Sequence, residues 1–394
     1  MPLNSYTTLG RSGLRVSPFC LGAMTFGEDW GWGATPEDSS KIIGAFLERG
    51  GNFVDTANFY TKGHSEKIIG DFIAQDRARR ERMVLATKFF GNLYPGEPNG
   101  GGAGRKAILA QCEQSLRRLQ TDYIDLYWLH MNDRFTPIEE TLRALDDLVA
   151  SGKVRYIGFS DTPAWRAAQA QTIAHFRGWA PLISLQIEYS LLERTVEGEL
   201  IPMAQDMGLG VTPWGPLKSG VLSGKYTREN RDEMKSDRGD HVTGSLTDQA
   251  YDLLDELQNI AKELSSTVAA VSLAWVHGRP GVTSTIIGAR TMNQLACSLG
   301  PASLDGPRRP PGQVVRTQAQ LSCSVLEDCS QLLECGCNGE RDRINAHAIC
   351  SKGPRRPLLV CRTRRAPRPR SQVATAFSVV ILRKTGSAKS PYTH

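Results

Sequence analysis

Eight short apolar runs alternate with longer amphipathic stretches between residues 19 and 299, and this alternation constrains the fold more than any other feature of the sequence. The runs have the length of buried parallel strands, and the stretches between them keep apolar residues on one helical face, as Ile42, Ile43 and Phe46 do. Strands that alternate with helices in this way form parallel α/β folds. Eight such units predict a closed (β/α)8 TIM barrel rather than a doubly wound sheet.

Local signals place the element boundaries. A hairpin is predicted at 6–16, where Gly10-Arg11-Ser12-Gly13 separates two apolar stretches. The first helix is predicted to begin at Thr35-Pro36, a capping residue followed by a proline. The predicted strands are 19–24, 53–57, 83–88, 124–130, 154–160, 183–189, 210–215 and 283–288. The later predicted helices are 64–74, 106–119, 137–150, 163–176, 196–207, 248–264 and 268–277, with a last one from Thr291.

The glycine-rich segments do not have the spacing of a nucleotide-binding loop. A doubly wound dinucleotide-binding sheet carries Gly-x-Gly-x-x-Gly after its first strand, where this chain has Leu21-Gly22-Ala23-Met24. Gly31-Trp32-Gly33 lacks the third glycine, and 100–106 lacks the Gly-Lys-Ser/Thr ending of a phosphate loop. We interpret both as flexible loops, which again favours the barrel.

The chain divides by composition near residue 300. With 394 residues it exceeds the roughly 250 of a typical barrel. Residues 301–394 hold 16 of the 47 lysines and arginines, 6 of the 41 acidic residues, 9 of the 21 prolines and none of the tryptophans. We therefore predict a barrel domain at 1–300 and a basic, Pro/Arg/Cys-rich tail at 301–394 that is disordered or irregular.

The composition of the first 300 residues excludes several classes of function. They hold 31 basic and 35 acidic side chains, so no nucleic-acid partner is expected for the barrel. No run of 18 apolar residues predicts a membrane span, and the start has no secretory signal pattern, so we expect a cytoplasmic protein. Only Cys20 and Cys112 precede residue 290, as in a reduced cytosolic enzyme.

Polar residues follow three consecutive predicted strands. Asp55 ends one strand and Tyr60 comes five residues later, Lys88 ends the next strand, and His130 ends the third. A phenol has a pKa of about 10 and is a weak acid at neutral pH, but a nearby ammonium lowers that pKa. The set predicts Tyr60 as general acid, Lys88 as the residue that tunes it, Asp55 as the anchor of the lysine, and His130 as the group that orients a carbonyl oxygen. Each residue alone also fits a structural role, but the four together favour a catalytic site.

Three segments carry a resemblance to a known family: Asp55-Thr56-Ala57-Asn58-Phe59-Tyr60, Ala86-Thr87-Lys88-Phe89 and Leu126-Tyr127-Trp128-Leu129-His130. They resemble the catalytic tetrad motifs of the aldo-keto reductases, in the bacterial branch that is also similar to potassium-channel β subunits. The resemblance covers roughly residues 5–296. It implies NADPH-dependent reduction of an aldehyde or ketone to an alcohol on a (β/α)8 barrel whose N-terminal hairpin closes the bottom.

The same resemblance implies a cofactor site at the strand ends. It places the nicotinamide at Ser160, Asp161, Gln186 and Trp214, with Asp161 standing where most members carry asparagine. Arg290 lies at a helix start that can bind phosphate, and its guanidinium favours NADPH over NADH. The predicted cofactor-binding residues are Gly22, Ala23, Met24, Asp55, Ser160, Asp161, Gln186, Trp214, Gly215, Pro216, Leu217, Ser219, Lys225, Gly288, Arg290 and Gln294. No metal is predicted.

Apolar and aromatic residues near the predicted mouth favour hydrophobic or aromatic carbonyl substrates. They are Met24, Trp30, Trp32, Phe59, Phe89 and Phe90. The sequence does not specify the physiological substrate or the oligomeric state. An alternative function is a nicotinamide-binding regulatory subunit with weak or vestigial reductase activity; His130 favours the enzyme, because channel subunits of this kind differ there.

The resemblance stops near Cys297, and three explanations of the tail remain open. Its arginine runs could bind RNA, or a metal could bind Cys335, Cys337, His347 and Cys350, although one residue between the first pair is fewer than zinc sites use. A third hypothesis is out-of-frame translation of a GC-rich gene, whose shifted codons give Arg, Pro, Ala, Ser, Gly and Cys.

Overall fold

The computed structural model of this chain describes residues 2–231 and 240–299. The tail 301–394 lies outside the described residues, and with it the prediction of disorder and the candidate metal ligands. Among the described residues, no helix combines the length and apolar character needed to cross a membrane.

Eight parallel strands form a nearly closed barrel, which confirms the predicted fold. The first seven strands of the barrel pair in chain order, each with the next, and the eighth pairs with the first. Between the seventh and eighth strands the ring is completed by a single bridge that joins Val211 and Val282. The barrel strands are β3 (Phe19–Gly22), β4 (Phe53–Asp55), β5 (Val84–Phe89), β6 (Ile124–Leu129), β7 (Val154–Ser160), β8 (Leu182–Glu188), β9 (Gly210–Trp214) and β10 (Thr285–Gly288).

Helices connect the strands and cover the outside of the barrel. They are α1 (Pro36–Glu48), α2 (His64–Ala74), α3 (Arg77–Arg82), α4 (Arg105–Leu119), α5 (Ile138–Ala150), α6 (Ala164–Arg177), α7 (Leu200–Met207), α8 (Asp240–Thr243), α9 (Asp248–Glu263), α10 (Val268–His277) and α11 (Met292–Leu299). Thr35 caps α1 by accepting a hydrogen bond from the Asp38 amide at 3.1 Å, as the sequence predicts. Helix α7 begins later than expected because residues 195–197 form a separate 3₁₀ turn.

The N-terminal hairpin closes the bottom of the barrel. Its strands, β1 (Thr7–Thr8) and β2 (Arg15–Val16), are antiparallel. Leu9 and Val16 are fully buried and belong to the core inside the barrel. Between them Gly10 has φ +60°, and a Cβ there would lie 2.1 Å from the Ile183 carbonyl oxygen, so only glycine fits. The open end of the barrel is therefore the one formed by the carboxyl ends of the strands.

A buried ionic network holds α2 and α4 against β5. Glu66 is fully buried on α2 and accepts hydrogen bonds from the Thr87 hydroxyl at 2.6 Å and the Arg118 guanidinium at 2.7 Å. Thr87 precedes Lys88 on β5, and α2 follows the turn that carries Tyr60. The network thus fixes two of the predicted site elements relative to each other.

Candidate active site

The four predicted catalytic side chains converge at the open end of the barrel. Asp55 is the last residue of β4, Lys88 lies in β5, and His130 directly follows β6. Tyr60 begins a 3₁₀ turn that brings its ring back over these strand ends. Its hydroxyl lies 3.2 Å from Lys88 Nζ and 3.5 Å from His130 Nε2.

Lys88 is fully buried and has three acceptors around its ammonium. It donates to the Asp55 carboxylate, to the Thr56 carbonyl oxygen at 2.8 Å and to the Tyr60 hydroxyl at 3.2 Å. Burial lowers the pKa of Lys88, but Asp55 and Tyr60 raise it more, so the amine stays charged. Gln186 donates to the other Asp55 oxygen at 3.2 Å, which places a predicted cofactor residue in contact with the tetrad.

The net shift of the Tyr60 phenol differs from the expectation of a lowered pKa. Burial raises the pKa of Tyr60, and Lys88 lowers it by less, so the net direction is upward. The ammonium does act as expected, but the low-dielectric surroundings of the ring outweigh it. Tyr60 therefore keeps its proton at neutral pH, as a proton donor must.

His130 is a neutral imidazole at physiological pH. Burial and the nearby Lys88 ammonium lower its pKa to about 2. Its Nε2 faces the Tyr60 hydroxyl, and its buried Nδ1 has no hydrogen-bond partner. If the ring proton were on Nδ1, a buried N–H donor would have no partner. With the proton on Nε2, Nδ1 is an unpaired acceptor, which costs less, so we assign that tautomer. The ring then presents an N–H donor to the mouth.

The turn that carries Tyr60 has an unusual backbone. Thr61, Lys62 and Gly63 all have positive φ, at 45°, 56° and 92°. The Thr61 hydroxyl donates to the Phe26 carbonyl oxygen at 2.7 Å and accepts from the Ser65 amide at 2.9 Å. These contacts stabilise a conformation that non-glycine residues rarely adopt.

Gln111 on α4 is a supporting residue that the sequence reasoning missed. Its amide oxygen accepts from the Asn58 side chain and from the Phe90 amide, both at 2.9 Å. It therefore connects the segment before Tyr60 with the segment after Lys88. Its place among mostly apolar residues on one face of α4 marks a buried polar side chain but does not reveal its partners.

Most of the predicted cofactor residues lie at or near the carboxyl ends of β3, β4, β7, β8, β9 and β10, while Lys225 and Gln294 lie farther along the chain. Asp161 has φ 41°, accepts a hydrogen bond from the Trp214 indole N–H at 2.9 Å, and accepts another from the Ser160 hydroxyl at 3.3 Å. Burial raises the pKa of Asp161 to about 6, although the Trp214 and Ser160 hydrogen bonds lower it. Asp161 lies at the mouth, and its carboxyl holds the indole in place.

The segment after β9 forms an irregular turn beside the mouth. Gly215, Lys218, Ser219 and Gly220 all have positive φ. Lys218, which the sequence reasoning did not single out, bridges Glu188 at 2.8 Å and Glu193. The turn is thereby attached to the end of β8, with the predicted cofactor residues Pro216, Leu217 and Lys225 on it or next to it.

The start of α11 lies beside the end of β10. The Gln294 amide oxygen accepts from the Arg290 backbone N–H at 2.8 Å, so this predicted cofactor residue also caps the helix start. At Gly288 nothing lies within 4 Å of where a Cβ would be, which leaves space above the strand end.

Aromatic rings surround the Tyr60 hydroxyl. Trp30 lies edge-on to Tyr60 with ring centres 6.4 Å apart, Trp32 lies 5.9 Å from Trp30, and Phe59 lies 5.1 Å from His130. Phe89, predicted to line the mouth, is fully buried against Tyr127 in the outer core instead, because its side chain points out of the barrel. Phe90, with φ 123°, is half-buried.

Comparison with known proteins identifies the family of this chain. The family model of the aldo/keto reductases matches residues 18–305. The chain is 43% identical over 300 residues to the uncharacterized oxidoreductase YrpG of Bacillus subtilis, covering 74% of this chain and 88% of that protein. It is 35% identical over 294 residues to the norsolorinic acid reductase of Aspergillus flavus, covering 72% of this chain and 73% of that protein.

A further relative is named for a different role. A probable voltage-gated potassium channel subunit beta of Oryza sativa subsp. japonica is 36% identical over 298 residues, covering 74% of this chain and 88% of that protein. The barrel, the polar side chains at its open end and the match of the family model lead to one assignment. The chain belongs to the aldo/keto reductase family and is an oxidoreductase of that family.

Proposed function

We propose that this protein reduces aldehydes or ketones to alcohols with NADPH and that Tyr60 is the general acid. The observation that carries the proposal is the position of the Tyr60 hydroxyl, 3.2 Å from the Lys88 ammonium and 3.5 Å from the His130 ring at the barrel mouth. The similarity to proteins named as reductases and oxidoreductases supports the same reaction class.

The chemistry of each side chain follows from its surroundings. When bound, a reduced nicotinamide supplies hydride to the carbonyl carbon. Tyr60 gives its proton to the carbonyl oxygen as the C–H bond forms, and Lys88 stabilises the phenolate that remains until solvent reprotonates it. The neutral His130 donates its Nε2–H to the same oxygen and orients it. Asp55 keeps the lysine charged and in place.

The features around the mouth fit a nicotinamide cofactor. Ser160, Asp161 and Gln186 offer hydrogen-bonding groups for a carboxamide, and Trp214 offers a flat surface for the ring. Arg290 at the start of α11 suits the 2′-phosphate of NADPH. The three cysteines of the described residues, Cys20, Cys112 and Cys297, are free thiols, which supports a reducing compartment such as the cytoplasm.

The test is NADPH oxidation, followed by absorbance, with a panel of aldehydes and ketones for the unaltered chain and for Tyr60→Phe. The substitution keeps the ring and removes the proton, so we expect kcat to fall by about 10²- to 10⁴-fold while NADPH affinity is retained. Equal rates in the two proteins would exclude Tyr60 as the acid.

The similarity to a channel subunit supports a second candidate function, that of a nicotinamide-binding regulatory subunit with weak or vestigial reductase activity. NADPH binding without carbonyl-dependent turnover on any member of the panel would favour this candidate. His130 facing the Tyr60 hydroxyl supports the enzyme.

A further inference from the structure

The segment 25–34, which follows β3, folds back on itself beside the active site; we call it the indole loop because it carries Trp30 and Trp32. Its two ends are joined by backbone hydrogen bonds of 2.8 Å, from Gly27 N to Ala34 O and from Ala34 N to Thr25 O. A Cβ on Gly33 would lie 1.9 Å from the Gly27 carbonyl oxygen, so the base of the loop is tightly closed. The loop therefore projects as a preformed unit.

Side chains from the Tyr60 turn and from the start of α2 attach the indole loop. At its base, the buried Thr61 hydroxyl donates to the Phe26 carbonyl oxygen at 2.7 Å. Nearer the tip, the Asp29 carboxylate accepts a hydrogen bond from His64 Nδ1 at 2.8 Å. The loop is thus tied to the same short segment that positions the proposed general acid.

The Asp29–His64 contact joins a largely buried group to an exposed one. The Asp29 side chain is 19% exposed, and the His64 side chain is 58% exposed. Asp29 directly precedes Trp30, whose ring lies edge-on to Tyr60 with centres 6.4 Å apart. Because His64 has little packing to lose, shortening it removes the hydrogen bond and leaves the core intact.

We propose that the Asp29–His64 hydrogen bond holds the indole loop beside Tyr60 and so positions Trp30 and Trp32 against the bound carbonyl compound. This inference rests on the proposed reductase function and adds two positioning residues to its site. Aromatic rings pack edge-to-face or offset at centre distances of about 4.5–7 Å, and the loop offers two indoles 5.9 Å apart beside the acid. A wall fixed before binding avoids the cost of ordering it on binding. Asp29 and His64 are positioning residues, because they act through the two indoles that the loop carries.

The test compares His64→Ala and Asp29→Ala with Lys67→Ala as matched control. Lys67 is equally exposed on α2, at 58%, and its ion pair with Asp71 has a similar length, 2.7 Å against 2.8 Å. Each protein is assayed with NADPH and either 4-nitrobenzaldehyde or propanal, and its NADPH affinity is measured by titration calorimetry. Because the His64 side chain is 58% exposed, loss of its hydrogen bond predicts a rise of about three- to fivefold in KM for the aromatic aldehyde in both test variants, with kcat within about twofold.

The control and the second substrate make the result specific. Lys67→Ala is expected to leave KM for both aldehydes unchanged, and the test variants are expected to leave KM for propanal and the NADPH affinity unchanged. If the variants still turn over, an unchanged KM for the aromatic aldehyde would contradict the role of the hydrogen bond, and so would an equal rise for both aldehydes. Either result would leave the proposed reductase function standing. Absence of carbonyl-dependent NADPH oxidation by the unaltered chain would instead overturn the proposed function, and this inference with it.

Discussion

The ammonium of Lys88 lies 3.2 Å from the hydroxyl of Tyr60 and 4.8 Å from the centre of its ring, so one cation contacts the phenol both at its oxygen and over its face. Burial nevertheless keeps the pKa of the phenol above its ordinary value. The pair therefore holds a proton in place until negative charge develops on a nearby oxygen, when the ammonium becomes most effective.

Removing the Lys88 charge is expected to destabilise the fold. Lys88→Met leaves the buried Asp55 carboxylate without its cation, and uncompensated buried charges of this kind cost about 3–5 kcal/mol. The double variant Asp55→Asn/Lys88→Met removes both charges and should recover a large part of that loss. Urea unfolding of the two variants measures the difference, and equal stabilities would contradict the prediction.

His130 predicts a loss of stability in mild acid. Its folded pKa of about 2 lies below the unfolded value of about 6.5. As pH falls through about 6.5 the unfolded chain binds a proton that the folded chain does not, so the free energy of unfolding falls. Between pH 7 and pH 5 we expect the unaltered chain to lose about 1–2 kcal/mol more than His130→Gln. Parallel pH dependences of unfolding in the two proteins would show that the ring titrates normally.

Asp161 predicts a pH-dependent preference between the two cofactor forms. Its carboxyl ionises as pH rises through about 6, and a carboxylate at the proposed nicotinamide site would favour the cationic ring of NADP⁺ over the neutral ring of NADPH. From pH 5 to pH 7.5 the affinity for NADP⁺ relative to NADPH should rise about three- to tenfold in the unaltered chain. In Asp161→Asn calorimetric titrations should give a constant ratio, and a ratio that still follows pH there would assign the effect to another group.

We expect Arg290 to determine the choice between NADPH and NADH. Arg290→Ala removes the proposed partner of the 2′-phosphate, and the loss of a charge-assisted hydrogen bond should raise KM for NADPH about 10- to 100-fold. KM for NADH, which lacks that phosphate, should change by less than about twofold. Steady-state kinetics with both cofactors provides the measurement, and an equal rise for both would mean that Arg290 acts on the helix rather than on the phosphate.

Two helical glycines should respond in opposite ways to alanine. A Cβ on Gly70 of α2 would lie 2.2 Å from the Arg118 carbonyl oxygen, so Gly70→Ala should push α2 from α4 and cost about 3 kcal/mol. On α1 a Cβ at Gly44 would meet Phe72 at an ordinary 3.9 Å, so Gly44→Ala should stabilise the chain by about 0.5–1 kcal/mol. Thermal unfolding of both variants measures these changes in stability, and an unchanged stability of Gly70→Ala would contradict the close packing.

Much of the fold could be predicted because its signals are local. Helix α2, strand β7 and helix α10 have the predicted boundaries, since each is bounded by a change from apolar periodicity to turn residues. Helix α3 was missed because its six residues, four of them arginine, have no apolar face. Asp76 caps it and the Arg80 guanidinium bonds the Tyr123 carbonyl oxygen, a contact that depends on the folded barrel.

The site could be predicted in part for the same reason. Asp55, Lys88 and His130 were identifiable because parallel strands bring their carboxyl ends to one mouth, whatever the exact packing. The role of Gln111 could not be predicted, because its contact with Asn58 spans 53 residues of sequence. The raised pKa of the phenol was also missed, because burial is a property of the assembled mouth.

The pairing of Phe19 with Thr285 has a consequence for synthesis of the chain. Strand β3 is among the first elements to leave the ribosome, and its partner β10 is the last strand of the ring. Until β10 has been synthesised, the nascent chain carries an unpaired strand edge on β3, which can recruit neighbouring chains. Protection by a chaperone would matter most in that interval, and a message cut short before codon 285 would yield a product that cannot close its own ring.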